Sequence, residues 1–366
     1  MPFTVTTFHR LLDRMADDGA SDLHLSSNEA PYFRIAGQLV RSPDQFSTSA
    51  ELEEVARVVT NAQQYKAFES QKSVDLAMAS ADGERFRVNI YRDRGNVSFA
   101  IRLLDNEFQT LEQLNLPEQL RNFIAMPDGL VLITGPTGSG KTTTLASLIN
   151  QINHDQTKHI ITIEDPIEYV HRNQQSLVHQ RELYTDVPTF GDAVRSSLRE
   201  DPDVILVGEM RDAETIRAAV TAAETGHLVF STLHTGDCVG AIDRMIGVFD
   251  AEEQLALRQQ LSMVLRGVVA QHLIKDPRTG GRVPLSEILF VNPAVANLIR
   301  TSKSAQIYSI MELGSLEGMQ TAEYALADLV ANGVLTESQA MPMARDQRAL
   351  KTRLDRLRGF EVFGNQ

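Results

Sequence analysis

The amino-acid sequence predicts two domains, joined by a linker and a helix at 105–128: an N-terminal α+β domain over 1–104, and a C-terminal α/β domain with a helical tail over 129–366. Before residue 104, short runs of alternating apolar and polar residues are separated by Gly and Asp turns, as is typical of a partly exposed sheet. After Gly129, four runs are apolar on both faces, as expected of parallel strands covered by helices. The length of 366 residues is sufficient for two ordinary domains.

The N-terminal domain is predicted to begin with a helix. Phe8, Leu11, Leu12 and Met15 share one helical face, and the pattern stops at Gly19. Five strand-like runs follow in the order DLHLS, YFRIAG, SVDLAMA, RFRVNIYRD and VSFAIRLL. The stretch SAELEEVARVVTNAQQYKAFES, between the second and third runs, has a helical pattern. We therefore predict a small domain in which helices accompany one sheet.

The C-terminal domain alternates strand-like and helical segments. Its four apolar runs are LVLITG, HIITIED, VILVGE and HLVFSTLH, with helical patterns between them. From about Asp237 the pattern is mostly helical, apart from the strand-like run VPLSEILFV. The segment ARDQRALKTRLDRLRG carries leucines at 350, 354 and 357 and therefore predicts an amphipathic helix.

The composition narrows the class of protein. A formal net charge of −13 argues against nucleic acid as the main partner, because phosphate binding depends on clustered Lys and Arg. Cys238 is the single cysteine, which excludes an internal disulfide framework and a four-cysteine zinc site within one chain. The sequence has neither an apolar run of roughly 20 residues nor a signal-peptide pattern. We therefore expect a cytoplasmic protein.

The segment GPTGSGKT, residues 135–142, follows the first apolar run and precedes a helical pattern. It matches the phosphate-binding pattern G-x-x-x-x-G-K-[ST] in the strand–loop–helix context that the motif requires. The backbone N–H groups and the helix N-terminus would hold phosphates, Lys141 would reach the β- and γ-phosphates, and the Thr142 hydroxyl would bind Mg²⁺. The sequence therefore predicts that ATP and Mg²⁺ bind at Gly135, Pro136, Thr137, Gly138, Ser139, Gly140, Lys141, Thr142 and Thr143.

Acidic side chains follow two other apolar runs. Glu164 and Asp165 end HIITIED, whereas Gly208 follows VILV and Glu209 comes one position after the expected metal-binding acid. Ligands of an open parallel sheet bind at the carboxyl ends of its strands, so Glu164 is placed to orient or deprotonate an attacking water. The alternatives are a loop-anchoring or helix-capping acid for Glu164 and an ion pair with Arg211 for Glu209.

Two histidines flank the fourth apolar run of the C-terminal domain. His227 begins HLVFSTLH, and His234 ends it beside Thr232 and Thr235. At the carboxyl end of a strand, His234 is placed to sense the γ-phosphate or to hydrogen-bond the catalytic acid. A purely structural role is the alternative for both histidines. Neither histidine has the spacing of a metal-ligand motif.

Arginines are frequent in the strand-like runs of the N-terminal domain. A guanidinium at the γ-phosphate neutralises transition-state charge and increases the rate by about 10³–10⁵-fold. Arg87 and Arg102, on two different predicted strands, are candidates for this role. They are predicted to act either in their own subunit or across an interface. The alternative is a solvated, positively charged face.

Four segments resemble, in order and spacing, the Walker A, Asp box, Walker B and His box of the secretion ATPase superfamily, namely GPTGSGKTTTLASLIN, TIEDPIEY, LREDPDVILVGEMRD and AAETGHLVFSTLHT. Within that superfamily, the segments GASDLHLS, ERFRVN and EGMQT are similar to those of type IV pilus retraction ATPases of the PilT/PilU type. The resemblance covers residues 8 to about 340.

The resemblance implies a PAS-like N-terminal domain, a RecA-like P-loop ATPase domain and a homohexamer with ATP at its interfaces. It implies ATP hydrolysis that drives pilus retraction and twitching motility. This would occur at the cytoplasmic face of the inner membrane, under a PilC-type platform protein and alongside paralogous retraction or extension ATPases. It makes Glu164 the general base, Glu209 the Walker B acid, and Arg87 and Arg102 the N-terminal arginines. We expect Glu209 to reach Mg²⁺ through water, with Thr142 as the direct protein ligand.

Four other functions remain as alternatives. For an accessory retraction paralogue the features point both ways: the segments GPTGSGKT and GEMRD look like those of a principal retraction motor, whereas the arginine-rich C-terminal segment is similar to that of an accessory one. Pilus extension and type II secretion ATPases typically carry a four-cysteine zinc motif and extra N-terminal domains, which this sequence does not match. A RecA-like nucleic-acid motor is disfavoured by the acidic charge, and a nucleotide-binding scaffold without hydrolysis is disfavoured by Glu164 and Glu209.

Overall fold

The computed structural model describes residues 3–44, 46–80, 83–104 and 107–363. The chain forms two compact units. The first contains residues up to 107 together with 163–172 and 180–193, and the second contains 108–162, 173–179 and 194 onward. Two middle segments of the sequence therefore belong to the same unit as the N-terminal strands.

The first unit contains a six-stranded antiparallel sheet. Its strands are β1 (Ala20–Ser26), β2 (Tyr32–Ile35), β3 (Gln38–Arg41), β4 (Ser73–Ala79), β5 (Arg85–Asp93) and β6 (Asn96–Leu104). They lie in the order β3-β2-β1-β6-β5-β4. The helices are α1 (Val5–Asp17), α2 (Ser49–Val59) and α3 (Ala62–Gln71).

Apolar side chains of α1 form part of the core of the first unit. Phe8, Leu11, Leu12 and Met15 are all buried, as the helical pattern predicts, and pack with the inward-facing residues of the sheet. Thr4 begins the helix by accepting a hydrogen bond from the N–H of Thr7.

The long helical pattern of the N-terminal domain is two helices instead of one. Thr60 has extended backbone angles after α2, and Asn61 then caps α3 by accepting hydrogen bonds from the N–H groups of Gln63 and Gln64. The Gln64 side chain in turn accepts a hydrogen bond from the Asn61 N–H, which completes a capping box. This break was not predicted because the apolar pattern continues across it.

A seven-stranded sheet forms the framework of the second unit. Its strands are β7 (Gly129–Thr134), β8 (His159–Glu164), β9 (Leu177–Glu182), β10 (Val204–Val207), β11 (Leu228–Leu233), β12 (Leu265–Lys275) and β13 (Arg282–Phe290). Their order is β13-β12-β7-β11-β10-β8-β9. β10 with β11, β11 with β7, and β7 with β12 are parallel, whereas β12 and β13 form an antiparallel pair.

The helices of this part of the chain precede the sheet, connect some of its strands or follow it. They are α4 (Arg121–Ile124), α5 (Lys141–Asp155), α6 (Phe190–Ser197), α7 (Ala213–Glu224), α8 (Cys238–Gly247), α9 (Ala251–Val264), α10 (Pro293–Arg300), α11 (Ile307–Leu313), α12 (Ala322–Ala331), α13 (Glu337–Ala340) and α14 (Gln347–Phe363). No helix within the described ranges is both long enough and apolar enough to cross a bilayer.

Three strands are absent from the sequence-based prediction. β3 is exposed along its whole length, so it lacks the alternation that identifies a half-buried strand. β9 is a mostly polar strand. β12 begins at Leu265, which is also the C-terminal cap of α9, so no turn signal separates helix from strand. The region after Asp237 therefore contains, besides its helices, the antiparallel pair β12 and β13 of the seven-stranded sheet.

The last helix packs against the preceding helices of the second unit. Leu350 and Leu354 are buried with Leu326 and Leu335, and Leu357 packs against the same cluster while partly exposed. The three leucines that predict an amphipathic helix therefore lie on its inner face. Burial of leucine side chains in this cluster stabilises the folded state by about 2 kcal/mol each.

We predict that Leu354→Ala lowers the free energy of unfolding by about 2–5 kcal/mol, because it removes a buried side chain and leaves a cavity. Denaturant titration followed by circular dichroism measures this change. Lys351→Ala, at an exposed position of the same helix, is the matched control and should change stability by less than about 0.5 kcal/mol. Equal effects of the two substitutions would contradict the packing of α14 described above.

Candidate functional site

The loop between β7 and α5 has the backbone of a phosphate-binding loop. Gly135, Gly138 and Gly140 have φ angles of 148°, 78° and 86°, a region that residues with a side chain adopt at a cost. A Cβ atom at Gly135 would collide with the carbonyl oxygen of Gln271 and lie 2.5 Å from Ser139 Oγ. Glycine is therefore required at this position both for conformation and for space.

Lys141 is the first residue of α5 and points back into the loop. Its Nζ donates hydrogen bonds to the carbonyl oxygens of Gly135, at 2.8 Å, and Pro136, at 3.1 Å. Burial lowers the pKa of Lys141, although the carboxylate of Glu209 acts in the opposite direction. Carbonyl oxygens thus hold the ammonium group at the loop. Glu209, which also acts on it electrostatically, follows β10, and β10 is separated from β7 by β11 in the sheet.

The residues of this loop fit the phosphates of a nucleotide. Ser139 is buried, and within the described ranges its Oγ has no hydrogen-bond partner. Pro136, Thr137 and Gly138 are exposed, as is Thr142 in the first turn of α5, while Thr143 is partly exposed. A phosphate at the helix N-terminus would be met by backbone N–H groups, and a metal ion on it would be within reach of the Thr142 hydroxyl.

Gln271 of β12 supports the loop from behind, although the sequence alone did not identify it as a site residue. Its Nε2 donates to the carbonyl oxygen of Ser139 at 2.7 Å, and its Oε1 accepts from Thr144 Oγ1 at 2.8 Å. A Cβ atom at Gly140 would lie 2.8 Å from the same Nε2. No pattern in the sequence marked Gln271, because β12 also contains other polar residues such as the adjacent His272.

Glu209 follows β10 at the same edge of the sheet as the loop. Its Oε1 lies 2.7 Å from Arg211 Nε, and its Oε2 lies 3.6 Å from His234 Nε2. The Arg211 side chain is 73% exposed, so this ion pair contributes at most about 1 kcal/mol. The predicted alternative of an ion pair is therefore present, but it is weak, and Glu209 also faces His234 and Lys141.

The two histidines lie at opposite ends of β11. His234 follows the strand at the edge that carries the phosphate loop, as its predicted role requires. His227 precedes the strand, and its Nδ1 lies 2.9 Å from the carbonyl oxygen of Ala222 and 3.1 Å from Thr225 Oγ1. Six strand residues separate His227 from the loop edge, a distance of about 20 Å. The structural alternative, a contact at the end of α7, therefore accounts for His227 better than a role at the phosphates.

Glu164 is the last residue of β8 and belongs to the first unit, together with Asp165. Its side chain is only 8% exposed, and Gln180 Nε2 donates a hydrogen bond to its Oε1 at 3.0 Å. The segment after it is held by β5, since Arg85 Nη2 donates to the carbonyl oxygen of Ile167 at 2.7 Å. Glu164 therefore lies in a segment whose backbone and side chains are extensively fixed.

Arg87 is paired with carboxylates in this structure. Its Nη1 lies 3.0 Å from Glu168 Oε1 and its Nε lies 3.4 Å from Asp75 Oδ1. Burial opposes the charged form, but the attraction of Asp75 and Glu168 raises the pKa of Arg87 above its ordinary value, and Asp165 adds to this. To reach a phosphate, the guanidinium must exchange these partners.

Arg102 lies directly opposite Arg87 in the pairing of β5 with β6, so both side chains leave the same face of the sheet. Its side chain is 68% exposed, and its Nε lies 3.0 Å from Asp22 Oδ1. Burial opposes the effect, but hydrogen bonds from Ser21 and Arg102 lower the pKa of Asp22. The surface pair holds Arg102 weakly.

The predicted residues therefore fall into two groups. The phosphate loop, Glu209 and His234 come together within the second unit, and Glu164, Arg87 and Arg102 belong to the first. Among the described residues, no cluster of three or more His, Cys, Asp and Glu side chains is arranged to hold a metal ion. A site for Mg²⁺ built from a hydroxyl, phosphates and water does not require such a cluster.

Comparison with known proteins agrees with this geometry. Residues 3–280 match the family described as type II/IV secretion system protein. The type IV pilus retraction ATPase PilT of Pseudomonas aeruginosa is 44% identical over 335 residues, 92% of this chain and 97% of PilT. The type IV pilus ATPase PilU of the same organism is 36% identical over 344 residues, 94% of this chain and 90% of PilU.

A solved structure extends the likeness to three dimensions. The crystal structure of the pilus retraction motor PilT with bound ADP has a TM-score of 0.83 and 40% sequence identity, and covers 94% of this chain and 98% of that chain. The N-terminal domain and the RecA-like ATPase domain predicted from the sequence are thus both present. The chain belongs to the type II/IV secretion system ATPase family and, within it, to the pilus retraction ATPases of the PilT/PilU type.

Proposed function

We propose that this protein hydrolyses ATP as a homohexameric motor and that this hydrolysis drives retraction of type IV pili, which supports twitching motility. One observation carries the proposal: the phosphate loop with Lys141 and Glu209 at one sheet edge, in a chain 44% identical to a pilus retraction ATPase over 92% of its length. Motion would arise when nucleotide changes the arrangement of domains between neighbouring subunits.

The roles of the site residues follow from their surroundings. Residues 135–143 bind the phosphates of ATP, with Lys141 exchanging its carbonyl contacts for phosphate oxygens. The Thr142 hydroxyl would hold Mg²⁺, which would supply charge neutralisation at the phosphates. Glu209, which lies 3.6 Å from His234 Nε2, would help to hold the hydrated ion. Glu164 orients the attacking water and takes its proton.

Arg87 and Arg102 supply positive charge at the γ-phosphate. Their common face on the sheet allows them to act as a pair, and Glu168 and Asp75 hold Arg87 when it is not on a phosphate. Action across the interface between subunits would make hydrolysis depend on assembly of the ring.

The partners and the location follow from the family. We propose that the hexamer acts in the cytoplasm at the inner membrane, on a platform protein of the PilC type and alongside paralogous ATPases. Higher identity to PilT than to PilU, 44% against 36%, favours a principal retraction motor over an accessory one. The net charge of −13 disfavours nucleic acid as a partner.

The biological role is tested by deleting the gene from its host. Loss of retraction should give cells that carry more pili and do not twitch, and the wild-type gene should restore movement. A Lys141→Ala gene should produce protein but restore nothing, because binding of the phosphates is lost. Normal twitching in the deletion strain, or rescue by Lys141→Ala, would contradict the proposed function.

We predict that Glu164→Gln leaves ATP affinity within about twofold and lowers the rate of hydrolysis by at least about 10²-fold, since the amide cannot accept the proton. Phosphate release and nucleotide titration on the purified hexamer measure the two quantities. Lys141→Ala serves as the baseline for zero specific turnover. Substantial turnover by Glu164→Gln would assign the base elsewhere, with Glu209 as the next candidate.

We predict that Glu209→Gln increases the Mg²⁺ concentration needed for half-maximal hydrolysis and lowers the maximal rate, because a charge beside the hydrated ion is lost. Arg211→Ala is the matched control, since it removes only the exposed partner of the ion pair with Glu209. Its Mg²⁺ dependence should match that of the wild type. If both variants change the Mg²⁺ dependence equally, Glu209 acts only through its ion pair.

We predict that Arg87→Ala lowers the maximal rate by about 10³-fold with little loss of ATP affinity. Rings assembled from Arg87→Ala and Glu164→Gln subunits should recover part of the activity if the arginine acts on its neighbour's nucleotide. In such a ring, some interfaces combine an intact Glu164 from one subunit with an intact Arg87 from its neighbour. Mixtures no more active than the separate variants would contradict action across the interface.

A further inference from the structure

β9 presents two polar side chains to the segment that follows β8. Gln180 and Glu182 are two residues apart on one strand and therefore point to the same side. Glu182 Oε2 accepts a hydrogen bond from the Ile167 N–H at 3.1 Å, and burial raises the pKa of Glu182. Gln180 differs from Glu182 because it contacts the side chain of Glu164 as well as the backbone.

The orientation of the Gln180 amide is determined by its backbone partners. The N–H of His171 donates to Gln180 Oε1 at 2.7 Å, so the oxygen end must face His171. The NH₂ end then donates to the carbonyl oxygen of Tyr169 at 2.8 Å and to Glu164 Oε1 at 3.0 Å. In a reversed amide, the Gln180 NH₂ group would face the donor N–H of His171. The Gln180 oxygen would face two other acceptors, the carbonyl oxygen of Tyr169 and Oε1 of Glu164.

A fixed donor beside Glu164 acts on a carboxyl group that is only 8% exposed. It restricts rotation of that group, because Oε1 is held while β8 holds the backbone. A general base must be correctly oriented when the substrate arrives.

We propose that Gln180 is the positioning residue for the catalytic carboxylate. It holds the Glu164 carboxylate in a fixed orientation and does not itself contact the nucleotide. The proposal rests on the assignment of Glu164 as the general base in the proposed function. A plain structural role, in which Gln180 only fastens the segment 164–171, makes different predictions.

Three single variants distinguish these roles. Gln180→Leu removes the donor, and Gln180→Glu replaces it with an acceptor of the same shape. Glu182→Gln is the matched control, since it lies on the same strand face, can still accept from the Ile167 N–H and does not contact Glu164 in the described hydrogen bonds. The measurements are the maximal rate of hydrolysis, the dissociation constant for ATP and the melting temperature of the purified full chain.

The positioning role predicts that both Gln180 variants lower the maximal rate by about 10- to 100-fold, as expected from losing one hydrogen bond to a charged group. ATP affinity should stay within about twofold in both, and Glu182→Gln should keep its rate within about threefold. Rates near that of the wild type for both Gln180 variants would overturn the proposal. So would an equal loss of rate in Glu182→Gln.

The double variant Glu164→Gln with Gln180→Glu separates folding from chemistry. The exchanged pair again has a donor facing an acceptor, with the amide now at position 164 and the carboxylate at position 180. The double variant should therefore recover part of the melting temperature lost in Gln180→Glu, since the carboxylate at position 180 still faces the Tyr169 carbonyl oxygen, while turnover stays at the level of Glu164→Gln alone. Recovery of turnover by the exchange would overturn the positioning role, since activity would then need only the hydrogen bond.

The outcome for Glu164→Gln keeps this inference distinct from the proposed function. If Glu164→Gln is itself active, Glu164 is not the base, and the proposed mechanism fails together with the inference. If Glu164→Gln is inactive while the Gln180 variants hydrolyse ATP normally, only the inference about Gln180 fails.

Discussion

Parallel pairing of β10, β11, β7 and β12 is the constraint on which the site in the second unit depends. Parallel strands end at one edge, so residues far apart in sequence meet there without any local motif joining them. This brings Lys141 within the electrostatic influence of Glu209 and Glu209 within 3.6 Å of His234. β12 adds a support that is independent of the ligand, because Gln271 fixes the carbonyl oxygen of Ser139 behind the phosphate loop.

A second set of contacts fixes the segment that carries Glu164. β9 contributes Gln180 and Glu182, and β5 contributes Arg85 and Arg87, each pair projecting from one face of its strand. The candidate base and the candidate arginine are therefore attached to the same stretch of chain. Pairing with Glu168 holds the long charged side chain of Arg87 in a defined position at little net cost in free energy. A phosphate can attract the guanidinium from that position.

The sequence predicted those parts of the molecule that are encoded by local pattern. The phosphate loop, the apolar strands that precede Glu164, Glu209 and His234, and the first helix are all recognisable within a short window of the sequence. The paired register of β5 and β6, which sets Arg87 opposite Arg102, depends on contacts between strands and is not visible in one strand alone. For the same reason Gln180 and Gln271 were missed, since a glutamine in a strand has no signal until its partners are known. The sequence already places His227 at the start of its strand, away from the carboxyl end, but its contacts with Ala222 and Thr225 become visible only in the structure.

The proposed mechanism divides the acidic duties at the nucleotide between two carboxylates, Glu164 and Glu209. The most direct test is a crystal structure of the assembled protein with Mg²⁺ and a complex of ADP with beryllium fluoride. We expect a direct bond from Thr142 Oγ1 to Mg²⁺, a water between the ion and Glu209, and Glu164 within hydrogen-bond distance of the water in line with the γ-position. A direct bond between the Glu209 carboxylate and Mg²⁺, or a Glu164 remote from that water, would contradict this mechanism.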